Sequence, residues 1–507
     1  METGADTIVV GAGSAGAIIA ARMTEKSENE VLLLEAGPDY PDLTKLPRDL
    51  VDGTRNSQTR HDWGYAHLPG TGRVRLPMPR GRVVGGSSAV NTCIALRGAP
   101  EDYDEWAALG LPDWKWEHCL PAFKRLEHDL DFDNDWHGKA GPIPIRRHPR
   151  SELVPWQAGF MDACREYGLP SCTDTNDPTQ KGGYGPHAMN KLDGVRQSAA
   201  RTYLTGQVRA RQNLRIWPET LVHRVLLEGG RAVGLEVERG GQRMRISAKR
   251  IVLSAGALAS PAVLLRSGIG PRADVQRLGV SLAVDLPAVG ARLLDHPGTA
   301  VFFRPKRGFS SAAPLVQTVF RFTSKGSAFP NDMQVQPGSH TPLPWFSLPL
   351  FTISVCVGKP RGHGKLRVTS VDPRAKVEIE SGFFVDAAER AMALEGLGYI
   401  AELAQTKAMR ALGVHVFPGG KMVRSRERME TWIRSWCGSG FHPSGTVPMG
   451  KDGAPEAATD GRGRVRGVEN LLVADASLMP TIPTANTNLA TLMIGERFGA
   501  WLRDGEV

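Results

Sequence analysis

Residues 7–23 read TIVVGAGSAGAIIAARM, and after a short polar stretch residues 31–37 read VLLLEAG. This pair of segments decides the fold. Residues 7–10 form an uninterrupted, largely β-branched apolar run, as a strand covered on both faces requires. The small-residue stretch behind it predicts a helix from Ser14 to about Thr24, and VLLL predicts a second strand over Val31–Leu34. Strand, helix and strand in close succession make a βαβ unit, which opens a parallel sheet in an α/β fold.

The turn between the first strand and the helix carries chemistry. Gly11, Gly13 and Gly16 form GxGxxG. The first glycine permits a tight turn, the second lets backbone approach a pyrophosphate, and the third lets helix pack on strand, while Ser14 opens a helix whose N-terminus attracts anions. Glu35, 19 residues beyond Gly16, ends the second strand where a carboxylate accepts from ribose hydroxyls. The pattern indicates a dinucleotide without choosing between NAD and FAD. The segment RGRVVGGSSAVNTCIALRG (80–98) adds Arg82, Gly85, Gly86, Ser87 and Asn91, donors suited to a second loop closing over a larger, enclosed cofactor.

Further segments of the same kind follow at a distance. VHRVLLEGGRAVGLEVE (222–238) alternates around Gly-Gly as a hairpin does, and RIVLSAG (250–256) is another buried strand, ending at Ala255. The helix after it is expected to take Ser260 as N-cap, Pro261 as its first residue and Gly268 just past its end. NLLVADAS (470–477) is one more buried strand, closing on Asp475 and Ala476. Between them lie proline-rich, alternating stretches and an amphipathic helix at 386–404, whose stripe of Met392, Leu397, Ile400 and Leu403 faces a core. Two interleaved domains are expected: residues 1–150, 190–295 and 438–507 in the cofactor domain, residues 151–189 and 296–437 in the substrate domain.

Composition narrows the class. The chain has 507 residues with 57 Gly and 36 Pro, 41% hydrophobic and 23% charged, which suits a loop-rich globular protein. Its net charge of +9 is interspersed, with short clusters at 146–150 and 424–428 and no aromatic interleaving, so no nucleic-acid partner is expected. No apolar run approaches the roughly 18 residues of a membrane span. METGAD leads into the first strand without a basic leader or cleavable apolar region, so a soluble, cytoplasmic protein is expected, as monomer or homodimer. The six cysteines lack the close spacing of metal or redox motifs, so reduced, mostly buried thiols and no metal are expected.

Four motifs in order carry a family resemblance. GRVVGGSSAVN (81–91) and GALASPAVLLRSGIG (256–270), with TIVVGAGSAG near the start and the pair HPSG (442–445) and ANTN (485–488) near the end, resemble the glucose-methanol-choline (GMC) oxidoreductases over essentially the whole chain. ALRGAPEDYDEW (95–106) and PTANTNLATLMIGER (483–497) are most similar to the branch of 5-hydroxymethylfurfural oxidases, pyridoxine oxidases and choline dehydrogenases. The resemblance implies a Rossmann-like FAD-binding domain interleaved with an α+β substrate domain carrying an antiparallel sheet. It also implies that Asp475 with Ala476 holds the pyrophosphate or ribityl chain, that Val222 meets the adenine through its backbone, that Trp63 covers part of the cofactor, and that Ala255, Asn486 and Thr487 contact it. Family members with covalent FAD carry a histidine where this chain has Val90, so the flavin is expected to be held without a covalent bond.

By the same resemblance His442, in GSGFHPSGTVPMG (438–450), faces the reactive ring, and Asn486 is its partner. The chemistry asks for such a pair. Hydride leaves an alcohol carbon readily only as the hydroxyl proton is removed, and imidazole suits that task near neutral pH. Asn486 can donate to the developing alkoxide and also cap the helix through LATLMIGERF. Phe441 is expected to stack on a flat substrate, with Trp345, Phe346 and Phe351 roofing the pocket. The expectation is an FAD-dependent oxidase of primary aryl or furanic alcohols that passes electrons to dioxygen. A dehydrogenase using another acceptor, a flavin-bearing lyase or photochemical enzyme of the same fold, and a protein keeping FAD only structurally stay open.

Overall fold

The computed structural model describes residues 2–58, 60–71, 74–342, 347–419 and 425–507. Trp345 and Phe346 lie outside the described residues.

The opening βαβ unit forms as its apolar pattern demands. Strands Glu2–Val10 and Val31–Leu34 pair in parallel around helix Ser14–Met23. Leu214–Trp217 joins one side, and the end of Gln242–Leu253, followed by Leu471–Val473, joins the other, all in parallel. Ile8, Val9, Leu32, Leu33, Ile251 and Val252 are completely buried, because helices cover both faces of a parallel sheet. The first half of Gln242–Leu253 instead pairs antiparallel with Arg231–Arg239, which returns to Thr220–Glu228 through Gly229 and Gly230, both at positive φ.

Helix Ser14–Met23 packs along the C-terminal helix Thr487–Asp504. Gly495 permits this: a Cβ there would lie 2.9 Å from the Cα of Ala15. Glu496 is fully buried between the helices and accepts from Arg22, Arg125 and Tyr203. The packing sets the two helix N-termini side by side, where Ser14 Oγ donates to Asn488 Oδ1 at 2.9 Å.

One boundary differs from expectation. Helix Ser260–Arg266 has Ala259 at the cap position, so Ser260 is already helical and Pro261 second. The Ser260 hydroxyl donates to Asp475 Oδ2 at 2.6 Å and accepts from the Ala255 N–H at 3.1 Å, which ties the turn to the neighbouring strand rather than capping its own helix.

The second large sheet is antiparallel, in the order Gly413–Phe417, Pro297–Pro305, Phe351–Val357, Met333–Gly338, Thr318–Phe322, Gly183–Pro186, with Cys437–Ser439 also paired to Pro297–Pro305. Phe351–Val357 alternates between buried and half-buried residues, and the buried face packs on helices Pro155–Tyr167 and Ala387–Leu403. Leu397, Ile400 and Leu403 are buried in that interface and Met392 half-buried. Phe351 belongs to this core, 2% exposed and stacked on Trp156 at 4.4 Å, and so does not roof a pocket. The apolar positions of the strand face inward as alternation implies, but onto the helices of their own core and not onto a cavity. All six cysteines are free, five of them buried. Among the described residues no helix is long and apolar enough to cross a membrane.

Candidate active site

A long cavity of about 1780 Å³, including its open mouth, runs along the carboxyl ends of the parallel strands. Its first wall is built from glycines. Gly11 sits at φ +98, and a Cβ there would come 2.5 Å from the carbonyl oxygen of Ser254. The second glycine loop interlocks with the first: the Gly85 N–H donates to Ala12 O at 2.7 Å, and a Cβ on Gly86, at φ +51, would lie 2.6 Å from Gly13 Cα. Only bare backbone fits where the loops meet.

Of the residues expected at a cofactor, Gly11, Gly13, Ser14, Glu35, Trp63, Gly86, Ser87, Asn91, Val222, Ala255, Asp475, Ala476, Asn486 and Thr487 line the cavity. Gly16, Gly85 and Arg82 do not. Gly16 stands behind the wall, where a Cβ would meet Gly11 O at 1.9 Å, and Gly85 supports the second loop. Arg82 lies with its guanidinium over the Trp63 ring, 5.1 Å from the centroid.

Glu35 is 6% exposed. Its carboxylate accepts from the Ala12 N–H at 3.1 Å and the Gly37 N–H at 2.8 Å, joining the glycine turn to the end of the second strand. Burial pushes its pKa up to about 7 against these bonds and the nearby Arg82 charge. A carboxylate has about four acceptor sites, so capacity remains for hydroxyls. Asp475 is engaged more fully, accepting from Gly256 N–H, Ser260 Oγ and Ser477 N–H. It shapes the turn at the cavity wall.

At the other end of the cavity, strand Cys437–Ser439 of the second sheet delivers Gly440, Phe441 and His442. Phe441 is held at φ +63, unusual for a bulky residue. Three contacts impose it. Arg80 Nη2 donates to Phe441 O at 2.6 Å, Phe441 N–H donates to Ser439 Oγ at 2.7 Å, and His442 N–H donates to Asp295 Oδ1 at 2.9 Å. Asp295 also accepts from Ser439 Oγ, and burial raises its pKa to about 6.

His442 is wired on both ring nitrogens. Nε2 lies 3.0 Å from Asn486 Nδ2, and Nδ1 lies 2.9 Å from Nδ1 of His296. His296 Nε2 lies in turn 2.9 Å from Pro483 O. Burial, then the neighbouring His296 and the Arg80 guanidinium, hold the His442 pKa well below the usual imidazole range, so the ring is neutral. Asn486 occupies the cap position of helix Thr487–Asp504, but its side chain makes no capping bond. It turns to His442 instead, and its Oδ1 is buried without a partner.

Arg80, Asp295 and His296 escaped the sequence reading. LLDHPGT (293–299) repeats the His-Pro, Gly-flanked composition of GFHPSGT, a signal that could have drawn attention to His296. Nothing local marks Arg80 apart from its place beside the second glycine loop.

The GMC oxidoreductase family models match residues 5–298 and 360–495. The chain belongs to the GMC oxidoreductases. It is 36% identical to 5-(hydroxymethyl)furfural oxidase of a Methylovorus species, with 97% of each chain covered, and 32% identical to oxygen-dependent choline dehydrogenase of Photobacterium profundum, covering 98% of this chain and 92% of that one. The crystal structure of pyridoxine 4-oxidase from Mesorbium loti superposes with a TM-score of 0.90 at 29% identity over 98% of both chains. GMC oxidoreductases act on alcohols and bind FAD. The residues here fit that cofactor: two interlocked glycine loops no side chain could occupy, two helix N-termini for phosphate, and an unpartnered amide oxygen beside an imidazole at the far end.

Proposed function

We propose that this chain oxidises primary aryl or furanic alcohols to aldehydes, using FAD held without a covalent bond and dioxygen as the final acceptor, which leaves as hydrogen peroxide. The observation that carries the reading is the His442–Asn486 pair, 3.0 Å apart at the end of one continuous cavity that also holds the glycine cradle. An alcohol hydroxyl bound on the cavity side of the pair, in place of the direct bond between them, donates its proton to His442 Nε2. The resting ring is neutral, so its Nε2 has a lone pair for that proton. The Asn486 amide donates to the alkoxide oxygen as charge develops there. Bound FAD supplies the hydride acceptor. Val90 at the wall offers no nucleophile for a tether.

The aromatic preference rests on Phe441, which lines the cavity next to His442. The 36% identity to a 5-(hydroxymethyl)furfural oxidase points the same way. Glu35 and Asp475, the carboxylates lining the cavity among the described residues, are both bonded to backbone, which leaves no anionic cage for a trimethylammonium head. We further assign residues 1–150, 190–295 and 438–507 to the cofactor domain and 151–189 and 296–437 to the substrate domain, and place the protein in the cytoplasm as monomer or homodimer. The test sets hydroxymethylfurfural, benzyl alcohol, pyridoxine, choline and glucose against each other in a peroxide assay and with a dye acceptor. Peroxide with the first two is expected. Dye reduction without peroxide reassigns the acceptor, and preference for choline or glucose overturns the substrate class.

A further inference from the structure

We infer that His296 is the positioning residue that decides which nitrogen of His442 is basic. The inference rests on the reading of His442 as the base. A chain of hydrogen bonds fixes it from one end. The Pro483 carbonyl can only accept, so His296 Nε2, 2.9 Å away, carries a proton. A neutral His296 then has a bare Nδ1. That atom faces His442 Nδ1 at 2.9 Å, where two lone pairs would repel, so His442 Nδ1 carries the proton and donates. The remaining nitrogen, His442 Nε2, is left bare. It accepts from Asn486 Nδ2 and borders the cavity.

Each choice along the chain forces the next, and the ends meet. Pro483 and Asn486 stand three residues apart in one segment, so the carbonyl that starts the chain and the amide that completes it belong to the same loop. That loop is anchored from outside, since Asp102 accepts from both the N–H and the hydroxyl of Thr484 at 2.8 Å. The opposite tautomer of His442 would place its Nε2 proton against an amide N–H and its Nδ1 lone pair against that of His296. Doubly protonated His296 is disfavoured by burial, which holds its pKa at about 4. The charged groups facing the two rings are Arg80, Asp102 and Lys359, while Asp295 binds the backbone of both histidines rather than either ring. As Nε2 takes the substrate proton, the Nδ1–H···Nδ1 bond holds the ring in place. The step is a single proton transfer, from the alcohol oxygen to Nε2.

The test uses FAD-loaded enzyme with selectively ¹⁵N-labelled histidine. In the wild type the His442 ring should show Nδ1 protonated and Nε2 bare. His296→Leu removes the acceptor and should return His442 to a tautomer mixture, lower kcat by about 10- to 100-fold with KM within about threefold, and shift the acidic limb of the kcat profile. His296→Asn keeps an oxygen acceptor near the Nδ1 position and should recover kcat to within about fivefold of wild type. An Nε2-protonated His442 in the wild type overturns the inference, as does wild-type kcat with an unchanged pH profile in His296→Leu. If His296→Leu does not fold, the wild-type spectrum and His296→Asn still decide. Failure of the base reading itself shows separately, as near-normal turnover in His442→Ala.

Discussion

The two ends of the cavity are built on opposite plans. At the nucleotide end the working parts are backbone N–H groups and missing side chains: Gly11 and Gly86 act because a Cβ would collide with a neighbouring carbonyl or glycine. At the catalytic end the working parts are side chains from four distant segments, around residues 80, 295–296, 439–442 and 483–486, joined by single hydrogen bonds. The first plan tolerates almost no substitution but is indifferent to protonation. The second tolerates substitution structurally, yet depends on which atoms carry protons.

That contrast predicts different failures. The largest effect belongs to the cradle. Gly86→Val puts a Cβ 2.6 Å from Gly13 Cα at a backbone angle of φ +51, and should abolish FAD retention, so the purified protein is folded by circular dichroism yet colourless. A yellow Gly86→Val protein with normal flavin content would break the account of the interlocked loops. At the catalytic end Asn486→Ala should keep its FAD and lose roughly 100- to 1,000-fold in kcat, the usual worth of one donor to a developing oxyanion. Loss of flavin in that variant, with turnover normal per bound FAD, would move Asn486 into the cradle.

The smallest effect lies where the two plans meet. Glu35 is a side chain inside the glycine wall, with its pKa raised from the usual 4.5 to about 7 by burial. A folded-state pKa above the unfolded one means the folded chain favours the protonated form. Its stabilising contribution is therefore complete below pH 4.5 and disappears as pH rises through 7, and Asp295 acts in the same direction with its pKa near 6. By this linkage Glu35 accounts for at most about 3 kcal/mol. The melting temperature of the FAD-free protein should fall across that window in wild type and fall less in Glu35→Gln. Parallel curves would show that burial of Glu35 is relieved in solution.

The same contrast explains what was legible in the sequence. The βαβ unit, the glycine pattern and Glu35 lie within one short segment, where spacing and apolar period carry the physics. His442 and Asn486 stood out because turn-forming residues surround them and the family motifs place them. The helix boundary at Ser260 went astray by one residue because a cap and a first helical residue share the same serine preference, and the hydroxyl chose Asp475 on another strand. Phe351 was misplaced because an apolar pattern marks an inward face without saying whether core or cavity lies behind it. Arg80 and His296 were invisible for a deeper reason. Each acts on His442 or its neighbour across 361 and 146 positions of chain, and no local pattern encodes a through-space bond.

The measurement that tests the central claim most directly is anaerobic stopped-flow reduction of the bound flavin by hydroxymethylfurfural or benzyl alcohol, in wild type and in His442→Ala at equal FAD content. Wild type should bleach rapidly without any added acceptor, and His442→Ala should bleach roughly 100- to 10,000-fold more slowly, the range expected when a positioned base is removed. A wild-type flavin that no alcohol bleaches, or a His442→Ala variant reduced at the wild-type rate, would contradict it.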